Sequence, residues 1–337
     1  MSLLSGNLSE NLKVPRVNLA RLPTPLVPLT RFSKKHKLPT IWLKRDDLTD
    51  TNASGNKLRK LEFSIGQALS EGATRLITCG GTQSNHCRAT AIIASQLGLQ
   101  SHLILRGRPD SPIDGNLLLN KLVGADMTFV NASEFAEIDK LYAETDAHYK
   151  SLGETTYQIP LGASDEVGLW GYIEACLELK EQMESLNLEF DYLFSASGSG
   201  GTAAGLIIGR ELYKLKSKIV SFNVSQNAAH FETKISADIG AWQTRYHHQL
   251  DEAQIDINIE DGYVGEGYGI ASKPVFELIQ DLARTEGVIL DPVYTAKAFF
   301  GLMCELKKGR FRESENIVFL HTGGIFGLFP QRELLFH

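Results

Sequence analysis

The segment Ser-Gly-Asn-Lys at positions 54–57 places a lysine in the first turn of a predicted helix. A cation is disfavoured there, because the N-terminus is the positive end of the helix dipole. A lysine held near positive charge, or out of water, has a lowered pKa and becomes a nucleophile. Lys57 is therefore a candidate nucleophile. The neighbouring Arg59 and Lys60 leave a solvated basic face as the simpler interpretation of this segment alone.

A second candidate segment, Gly-Gly-Thr-Gln-Ser-Asn-His at positions 80–86, follows a predicted strand and opens a helix. Backbone N–H groups at a helix N-terminus favour a carboxylate or a phosphate. Either Ser84 or Asn85 is expected to cap the helix. Capping needs one polar side chain, whereas this loop has five together with two glycines, which indicates an anion site. Taken alone, His86 is more typical of a structural histidine.

A glycine-rich turn at positions 197–205, Ser-Gly-Ser-Gly-Gly-Thr-Ala-Ala-Gly, again lies between a predicted strand and a helix. Such a turn surrounds an anion with backbone N–H groups, so it predicts a phosphate site. The turn also matches a loose form of the glycine pattern that binds dinucleotides. A dinucleotide-binding oxidoreductase is therefore the alternative function. The dinucleotide pattern expects an acidic residue about 20 positions later, and positions 218–225 contain none. A single phosphate is therefore favoured.

Two C-terminal segments complete the set: Asp-Pro-Val-Tyr-Thr at 291–295 and His-Thr-Gly-Gly at 321–324. The second follows an apolar strand at 317–320, so Thr322 lies at a strand's carboxyl end, where ligands of parallel sheets bind. Taken alone, Tyr294 is typical of a packed aromatic residue and Thr322 of a turn residue.

Short apolar runs alternate with helical patterns along most of the chain, which predicts right-handed βαβ units and a parallel sheet. Residues 226–260 are the least readable, with a polar helical pattern. Strands are predicted around 41–44, 75–79, 102–105, 127–130, 155–159, 192–194, 219–224 and 317–320. Helices are predicted from Gly55 to Gly72 and around 85–97, 116–123, 134–150, 172–183, 202–215, 274–284 and 295–307.

The 337 residues allow about two domains, but no linker is visible. With 34 basic and 40 acidic residues the net charge is −6, which argues against nucleic-acid or membrane partners. No apolar run approaches the roughly 20 residues of a membrane helix, and the N-terminus lacks a secretory pattern. A cytoplasmic protein is expected.

The spacing of the four cysteines favours reduced thiols over a metal or disulfide site; they are Cys79, Cys87, Cys176 and Cys304.

Together these segments resemble the pyridoxal-phosphate enzymes of fold type II, the tryptophan synthase β type. They are most similar to the family of D-cysteine desulfhydrase and 1-aminocyclopropane-1-carboxylate deaminase. The resemblance covers nearly the whole chain. It rests on Leu-Pro-Thr-Pro-Leu at 22–26, Lys-Arg-Asp-Asp at 44–47, Gly-Asn-Lys-Leu-Arg-Lys-Leu-Glu at 55–62, Gln-Ser-Asn-His at 83–86 with Arg88, Gly-Asn-Leu-Leu-Leu at 115–119, Gly-Glu-Gly-Tyr-Gly at 265–269 and Asp-Pro-Val-Tyr at 291–294.

The resemblance implies an α/β fold with two parallel-type twisted sheets flanked by helices and the cofactor in the cleft between two domains. Residues 52–160 would form the small domain. Residues 1–51 and 161–337 would together form the large cofactor-binding domain, which explains the missing linker. A homodimer is also implied.

The resemblance further assigns roles to the candidate residues. Lys57 would hold pyridoxal 5'-phosphate through a Schiff base, and Asn85 would lie near the cofactor's ring oxygen. Thr322 would meet the pyridine nitrogen. The catalytic residues would be Lys57, Ser84 and Tyr294; the phosphate would lie on Gly198, Ser199, Gly200, Gly201 and Thr202; and the substrate, a small amino acid, would be bound by Ser84, Asn85, His86, Tyr268 and Tyr294.

Thr295 distinguishes the branches of this family, because the cyclopropane deaminases carry a glutamate at the position after the tyrosine. The threonine favours β-elimination from D-cysteine to pyruvate, ammonia and hydrogen sulfide. Lys57 would take the α-proton, with Ser84 as an alternative base. Cyclopropane deaminase and cysteate sulfo-lyase remain alternatives, and a non-catalytic scaffold is disfavoured because Lys57, Ser84 and Tyr294 are all present. Glu266 is unusual for the family.

Overall fold

The computed structural model describes residues 8–336, which form two β-sheets flanked by helices. The larger sheet consists of β1 (Leu26–Pro28), β2 (Thr40–Lys44), β7 (Tyr192–Ser197), β8 (Lys218–Asn223), β9 (Ile259–Glu260) and β10 (Asn316–Leu320). The smaller sheet consists of β3 (Arg75–Gly81), β4 (Gln100–Arg106), β5 (Asp126–Val130) and β6 (Thr156–Gln158).

Twelve α-helices connect and cover these strands within the described residues. They are α1 (Leu8–Asn11), α2 (Thr30–His36), α3 (Asn56–Ser70), α4 (Asn85–Gln96), α5 (Gly115–Leu122), α6 (Ala132–Ala136), α7 (Ile138–Ser151), α8 (Trp170–Leu186), α9 (Gly201–Tyr213), α10 (Ala228–Tyr246), α11 (Lys273–Glu286) and α12 (Thr295–Lys307). Among these helices none is long and apolar enough to cross a membrane.

The predicted α/β class with two mainly parallel sheets is confirmed. The strand order is β1-β2-β10-β7-β8-β9 in the larger sheet and β5-β4-β3-β6 in the smaller one. All pairings are parallel except that of β1 with β2, which is antiparallel. The two sheets share no strand, and residues of the larger one precede and follow those of the smaller one along the chain.

Several elements differ from the sequence-based expectation. β1 and α2 were not predicted, because three residues of edge strand and a basic seven-residue helix carry little apolar periodicity. The helix predicted at 134–150 is divided into α6 and α7 at Glu137, where the backbone leaves helical geometry. In the poorly readable segment 226–260, α10 is amphipathic and buries Phe231, Ile235 and Trp242.

A buried ion cluster joins α3 to α8 and to the end of β2. Arg59 on α3 donates two hydrogen bonds to Asp46, at 2.8 and 2.9 Å, and pairs with Glu178 on α8 at 2.8 Å. The Tyr172 hydroxyl donates to Asp46 at 2.6 Å. Burial opposes ionisation of Glu178, but Arg59 and Lys44 hold its pKa at about 2. The cluster fixes α3, whose first turn carries Lys57, against the larger sheet.

Candidate active site

The candidate residues meet in two adjoining cavities between the carboxyl ends of the two sheets. Both cavities are lined by Lys57, Gly198, Ser199 and Tyr294. The inner one is also lined by Asn56, Asn85, Ala196, Ser197, Gly200, Thr202 and Thr322. The outer one, of about 240 Å³, is also lined by Gly80, Gly81, Ser84, His86, Arg106, Phe135, Leu161, Gly162, Ser225, Gln226 and Tyr268.

Lys57 occupies the position that joins the two cavities. Its α3 helix begins beside the end of β10, where the Asn56 N–H donates to the Thr322 carbonyl at 3.1 Å. Gly55 has φ +112°, and a Cβ there would lie 2.6 Å from the Thr322 oxygen, so only glycine allows this approach. Desolvation lowers the pKa of Lys57 to about 8, which makes its amine a far better nucleophile at neutral pH than an exposed lysine.

Gly162, which the sequence assigned no role, and Lys60 also belong to the surroundings of Lys57. The simpler interpretation of Arg59 and Lys60 as a solvated basic face is wrong, because both side chains are buried. A Cβ on Gly162 would lie 3.0 Å from Lys57 Nζ and 2.5 Å from Ser199 Oγ. Lys60 is fully buried and donates to the Gly162 carbonyl at 3.0 Å and to Ser164 Oγ at 3.2 Å. Burial and the charge of Lys57 hold the pKa of Lys60 well below its ordinary value. The available signal was Gly162 itself, in the turn that follows β6.

The glycine-rich turn precedes α9 as predicted. Gly200 has φ +84°, and α9 begins at Gly201. The first N–H groups of a helix have no intrahelical acceptor, and here no side chain caps them. Two contacts fix the turn: Asn56 Nδ2 donates to Thr202 Oγ1 at 3.1 Å, and the Ser164 and Ser199 hydroxyls lie 2.9 Å apart. The arrangement leaves backbone donors available to an anion.

The second loop presents Ser84, Asn85 and His86 at the start of α4. Ser84 is the N-cap and accepts from the Cys87 N–H at 3.2 Å. Asn85 Oδ1 accepts from Asn116 Nδ2 at 3.1 Å, which leaves the Asn85 amide nitrogen as a donor at the inner cavity. The Ser84 hydroxyl lines the outer cavity.

The side chain of His86 points back to the sheet. The Thr78 hydroxyl donates to the Ile159 carbonyl at 2.8 Å, so it accepts from His86 Nε2, which lies 2.8 Å away. Burial, together with the charges of Lys57 and Lys60, keeps the pKa of His86 well below its ordinary value. His86 is therefore neutral at pH 7, and its imidazole supplies no positive charge for a substrate carboxylate.

Tyr268 and Tyr294 form a pair across the outer cavity. Their hydroxyls hydrogen bond to each other, and their rings meet edge-on with centroids 5.7 Å apart. Burial raises the pKa of both hydroxyls, that of Tyr294 well above its ordinary value. Both tyrosines therefore keep their protons at neutral pH. One proton is used in the bond between the two hydroxyls, and the other hydroxyl can donate to a ligand.

Thr322 lies at the far end of the inner cavity, beside Thr295. The two hydroxyl oxygens are 2.9 Å apart, and Thr295 is fully buried. The nearby Asp291 is turned away from Thr322, because its carboxylate accepts the N–H groups of Val293, Tyr294 and Thr295 at 2.8–2.9 Å. This end of the cavity is thus bounded by neutral hydroxyl groups.

The comparisons with known proteins identify the family. The sequence pattern of the pyridoxal-phosphate dependent enzymes matches residues 17–323. The chain belongs to this family. A bifunctional D-cysteine desulfhydrase/1-aminocyclopropane-1-carboxylate deaminase of Arabidopsis thaliana is 39% identical, with 93% of this chain and 79% of the relative aligned. A D-cysteine desulfhydrase of Klebsiella pneumoniae is 37% identical, with 96% of this chain and 98% of the relative aligned.

A solved structure agrees with this placement. The crystal structure of a homologue of 1-aminocyclopropane-1-carboxylate deaminase superposes with a TM-score of 0.90 at 35% identity, and the match covers 98% of this chain and 99% of that one. The chain is therefore a pyridoxal-phosphate dependent enzyme of fold type II, and the predicted cofactor is confirmed.

The residues that line the inner cavity suit that cofactor chemically. They include the Lys57 amine, the Thr322 hydroxyl and the start of α9, where no side chain caps the helix. Within residues 8–336 the buried Ser197 Oγ has no hydrogen-bond partner. A Cβ on Gly198 would lie 2.9 Å from the Tyr294 ring, so a side chain at position 198 would clash with that ring.

The cysteines and Glu266, which the sequence also singled out, do not take part in the candidate active site. Burial raises the pKa of Cys79 to about 11 and that of Cys87 to about 12, so both are unreactive thiols at neutral pH. Glu266 is exposed and lines neither cavity. Across residues 8–336 no cluster of His, Cys, Asp and Glu side chains is suited to hold a metal ion.

Proposed function

We propose that this enzyme catalyses β-elimination from a small amino acid, with D-cysteine as the substrate and pyruvate, ammonia and hydrogen sulfide as the products. The observation that carries the proposal is the pair of neutral hydroxyls of Thr295 and Thr322 at the end of the inner cavity. The Klebsiella relative's name, D-cysteine desulfhydrase, supports it. Cyclopropane deamination is the competing activity, because the Arabidopsis relative's name includes both.

The cofactor's place follows from the groups that surround the inner cavity. We propose that Lys57 holds it covalently and that Gly198, Ser199, Gly200, Gly201 and Thr202 bind its phosphate through the start of α9. The free amide of Asn85 is positioned to donate to a ring oxygen, and Thr322 to meet the ring nitrogen. Bound pyridoxal phosphate supplies the electron sink that stabilises negative charge at the substrate's α-carbon.

Lys57 is the proposed base for the α-proton. Its lowered pKa means that, once displaced by the substrate's amine, a substantial part of Lys57 is neutral near pH 7–8 and accepts a proton. Ser84 is a weaker candidate, because its hydroxyl already caps α4, and no carboxylate or imidazole in the described chain hydrogen bonds to it. Its proposed role is therefore to orient the substrate carboxylate at the start of α4.

Tyr294 is the proposed proton source for the leaving sulfur. It lines both cavities, and its raised pKa keeps the hydroxyl protonated. Tyr268 holds that hydroxyl through the bond between the two tyrosines. The pair donates a hydrogen bond to the departing thiolate, which stabilises the charge as it develops.

Thr295 selects between the two activities. A carboxylate at this position would favour a protonated ring nitrogen and strong delocalisation of the α-carbon's charge into the ring. The hydroxyls of Thr295 and Thr322 do not hold a proton on the ring nitrogen. The substrate therefore loses its β-substituent more readily once its α-proton has been removed.

We also propose two nested domains, residues 52–160 and residues 1–51 with 161–337. The strands of the smaller sheet all lie within 75–158, whereas those of the larger sheet lie at 26–44 and 192–320. A homodimer is proposed from the family resemblance, and analytical ultracentrifugation of the purified enzyme tests it.

Release of a 2-oxo acid, measured with D-cysteine, L-cysteine, β-chloro-D-alanine, cysteate and 1-aminocyclopropane-1-carboxylate, tests the proposed function. The three-carbon substrates give pyruvate, whereas the four-carbon cyclopropane substrate gives 2-oxobutanoate. The proposal expects turnover of D-cysteine and β-chloro-D-alanine. A holoenzyme that acts on the cyclopropane amino acid alone, and so releases only 2-oxobutanoate, is a deaminase and contradicts it.

A further inference from the structure

Lys297 is a buried cation next to the active site that the proposed elimination does not use. It lies in the first turn of α12, the helix for which Tyr294 is the N-cap residue, and only 1% of its surface is exposed. The N-terminus of a helix is its positive end, and removing a charge from water is costly, so a lysine here requires a compensating interaction. Its side chain lines neither cavity. That interaction therefore lies outside the groups that would touch the cofactor and the substrate.

Two backbone carbonyls supply the interaction. Lys297 Nζ donates to the carbonyl oxygens of Val264 and Gly267, each at 2.7 Å. Between residues 8 and 336 no carboxylate lies within ion-pair distance of this nitrogen, whereas Lys308, directly after the same helix, pairs with Glu305 at 2.7 Å. Burial lowers the pKa of Lys297 to about 8, so the side chain is mostly charged at pH 7. Hydrogen bonds from a charged donor are about twice as strong as neutral ones, and here both act on one short loop.

The loop that contains these carbonyls also carries Tyr268. It contains no helix and no regular strand, only turns and an isolated bridge between Gly267 and Ile270. A Cβ on Gly267 or on Gly269 would meet no heavy atom within 4 Å, so packing around these glycines does not fix the backbone. The hydrogen bonds from Lys297 therefore fix the loop from the side of α12, and with it the direction from which Tyr268 enters the outer cavity.

From these contacts we infer that Lys297 is a positioning residue, which holds the loop so that the Tyr268 hydroxyl donates to Tyr294 and leaves the Tyr294 proton for the departing sulfur. The inference rests on the proposed elimination and deepens it. The two hydroxyls are hydrogen bonded, and the ring centroids lie 5.7 Å apart. Because α12 begins directly after Tyr294 and carries Lys297 in its first turn, this one helix fixes both tyrosines relative to each other.

Two leaving groups distinguish positioning of the tyrosines from a general loss of structure. D-cysteine expels a thiolate, which a hydrogen-bond donor stabilises, whereas β-chloro-D-alanine expels chloride, which needs little help. Lys297→Met removes the ammonium, so kcat/KM should fall about tenfold more for D-cysteine than for β-chloro-D-alanine. The amide of Lys297→Gln retains two N–H donors on a shorter side chain, so its effect should have the same direction and be smaller. Both substrates are measured in one preparation, so that any unfolded enzyme lowers both rates equally.

The matched control is Lys307→Met, which removes an exposed lysine in the last turn of the same helix. It should keep the wild-type ratio of the two substrates. Tyr268→Phe should change the ratio as Lys297→Met does, and adding Lys297→Met to it should change the ratio by less than about twofold, because both substitutions act through one hydroxyl.

Two results would overturn the inference. One is an equal loss for both substrates in Lys297→Met, or in Lys297→Gln if the methionine variant does not fold. The other is an effect of Lys297→Met that is as large in the Tyr268→Phe background as in the wild type.

A crystal structure of the Lys297→Met holoenzyme gives a readout that does not depend on turnover. The Tyr268 hydroxyl should lie beyond hydrogen-bond distance of Tyr294. If the wild type releases pyruvate from D-cysteine but the variant keeps the bond between the tyrosines, the role of Lys297 alone is refuted. If the variant separates the tyrosines but the wild type releases pyruvate from none of the β-substituted amino acids, the proposed elimination is refuted.

Discussion

The Thr295 hydroxyl lies 2.9 Å from the Thr322 hydroxyl, at the end of the cavity that fits pyridoxal phosphate. Thr295 is fully buried and Thr322 nearly so. The side chain at position 295 can therefore influence the group that Thr322 contacts, and water screens this interaction little. We expect the two side chains together to determine whether the ring nitrogen of the cofactor is protonated.

Replacing Thr295 with glutamate should shift the enzyme toward cyclopropane deamination. A carboxylate beside Thr322 stabilises a protonated ring nitrogen, so D-cysteine turnover should fall about tenfold, or about 1.4 kcal/mol in activation free energy. The ratio of cyclopropane to D-cysteine turnover should rise. The measurement is release of pyruvate from D-cysteine and of 2-oxobutanoate from the cyclopropane substrate, with Thr295→Ser as the control that keeps a hydroxyl. A Thr295→Glu enzyme with an unchanged ratio would refute the selecting role of this residue.

Removing the amine of Lys57 should abolish covalent attachment of the cofactor. In the holoenzyme, borohydride reduction followed by proteolysis and mass spectrometry should find the cofactor's mass on the peptide that contains Lys57. Lys57→Ala should bind the cofactor without that modification and should lose turnover. Lys121→Ala removes an exposed lysine and serves as the control. Modification of a different lysine in the wild type would contradict the assignment.

The pKa of Lys57 predicts how cofactor uptake depends on pH. Because burial lowers this pKa to about 8, the neutral amine is the majority form above pH 8. The rate at which the apoenzyme incorporates the cofactor should therefore rise with pH through a midpoint near 8 and then level off. A rate that continues to climb beyond pH 10, as for an exposed lysine, would show that Lys57 is not desolvated.

Gly162→Ala should weaken cofactor binding at least tenfold. The added methyl would lie 3.0 Å from Lys57 Nζ and 2.5 Å from Ser199 Oγ, where the site has no room for it. Gly98→Ala is a close control, since Gly98 has φ +72° against +69° for Gly162 but nothing within 4 Å of the added methyl. Equilibrium titration of the apoenzymes measures the effect. Equal losses in both variants would assign it to backbone strain rather than to the site.

The Arg59 cluster should contribute stability rather than chemistry. Arg59→Leu leaves Asp46 buried without its guanidinium partner, and breaking a buried pair costs about 3–5 kcal/mol. Urea unfolding of the holoenzyme measures this loss. Arg31→Leu is the control, because that side chain is 71% exposed and pairs at the surface, where ion pairs contribute little. Equal stability of the two variants would contradict the structural role of the cluster.

The sequence predicted the strand–helix alternation and the main loops because each rests on local periodicity and glycine placement. Lys57, the turn at 197–205 and the start of α4 were found in this way, and the structure brings them together with Thr322 and Tyr294. The short edge strand β1 depends on packing, and the division between α6 and α7 depends on the backbone angles of Glu137. The spacing of apolar residues encodes neither.

The contacts made across the two sheets were beyond sequence reasoning. Gly162 approaches Lys57 through tertiary packing, and no spacing rule places residue 162 beside residue 57. Lys60 is one turn from Lys57 on α3, as the predicted helix implies, but its complete burial depends on tertiary packing. His86 was expected to bind the substrate carboxylate, whereas its imidazole is held by Thr78 and kept neutral by burial.

The most direct test of the central proposal compares D-cysteine with 1-aminocyclopropane-1-carboxylate in one preparation of holoenzyme. Steady-state release of the 2-oxo acid under identical conditions, pyruvate from D-cysteine and 2-oxobutanoate from the cyclopropane substrate, gives kcat/KM for each. Because Thr322 and Thr295 supply hydroxyls where a glutamate would stabilise a protonated ring nitrogen, the enzyme is expected to favour D-cysteine by at least 100-fold. Cyclopropane turnover equal to or faster than D-cysteine turnover would contradict it.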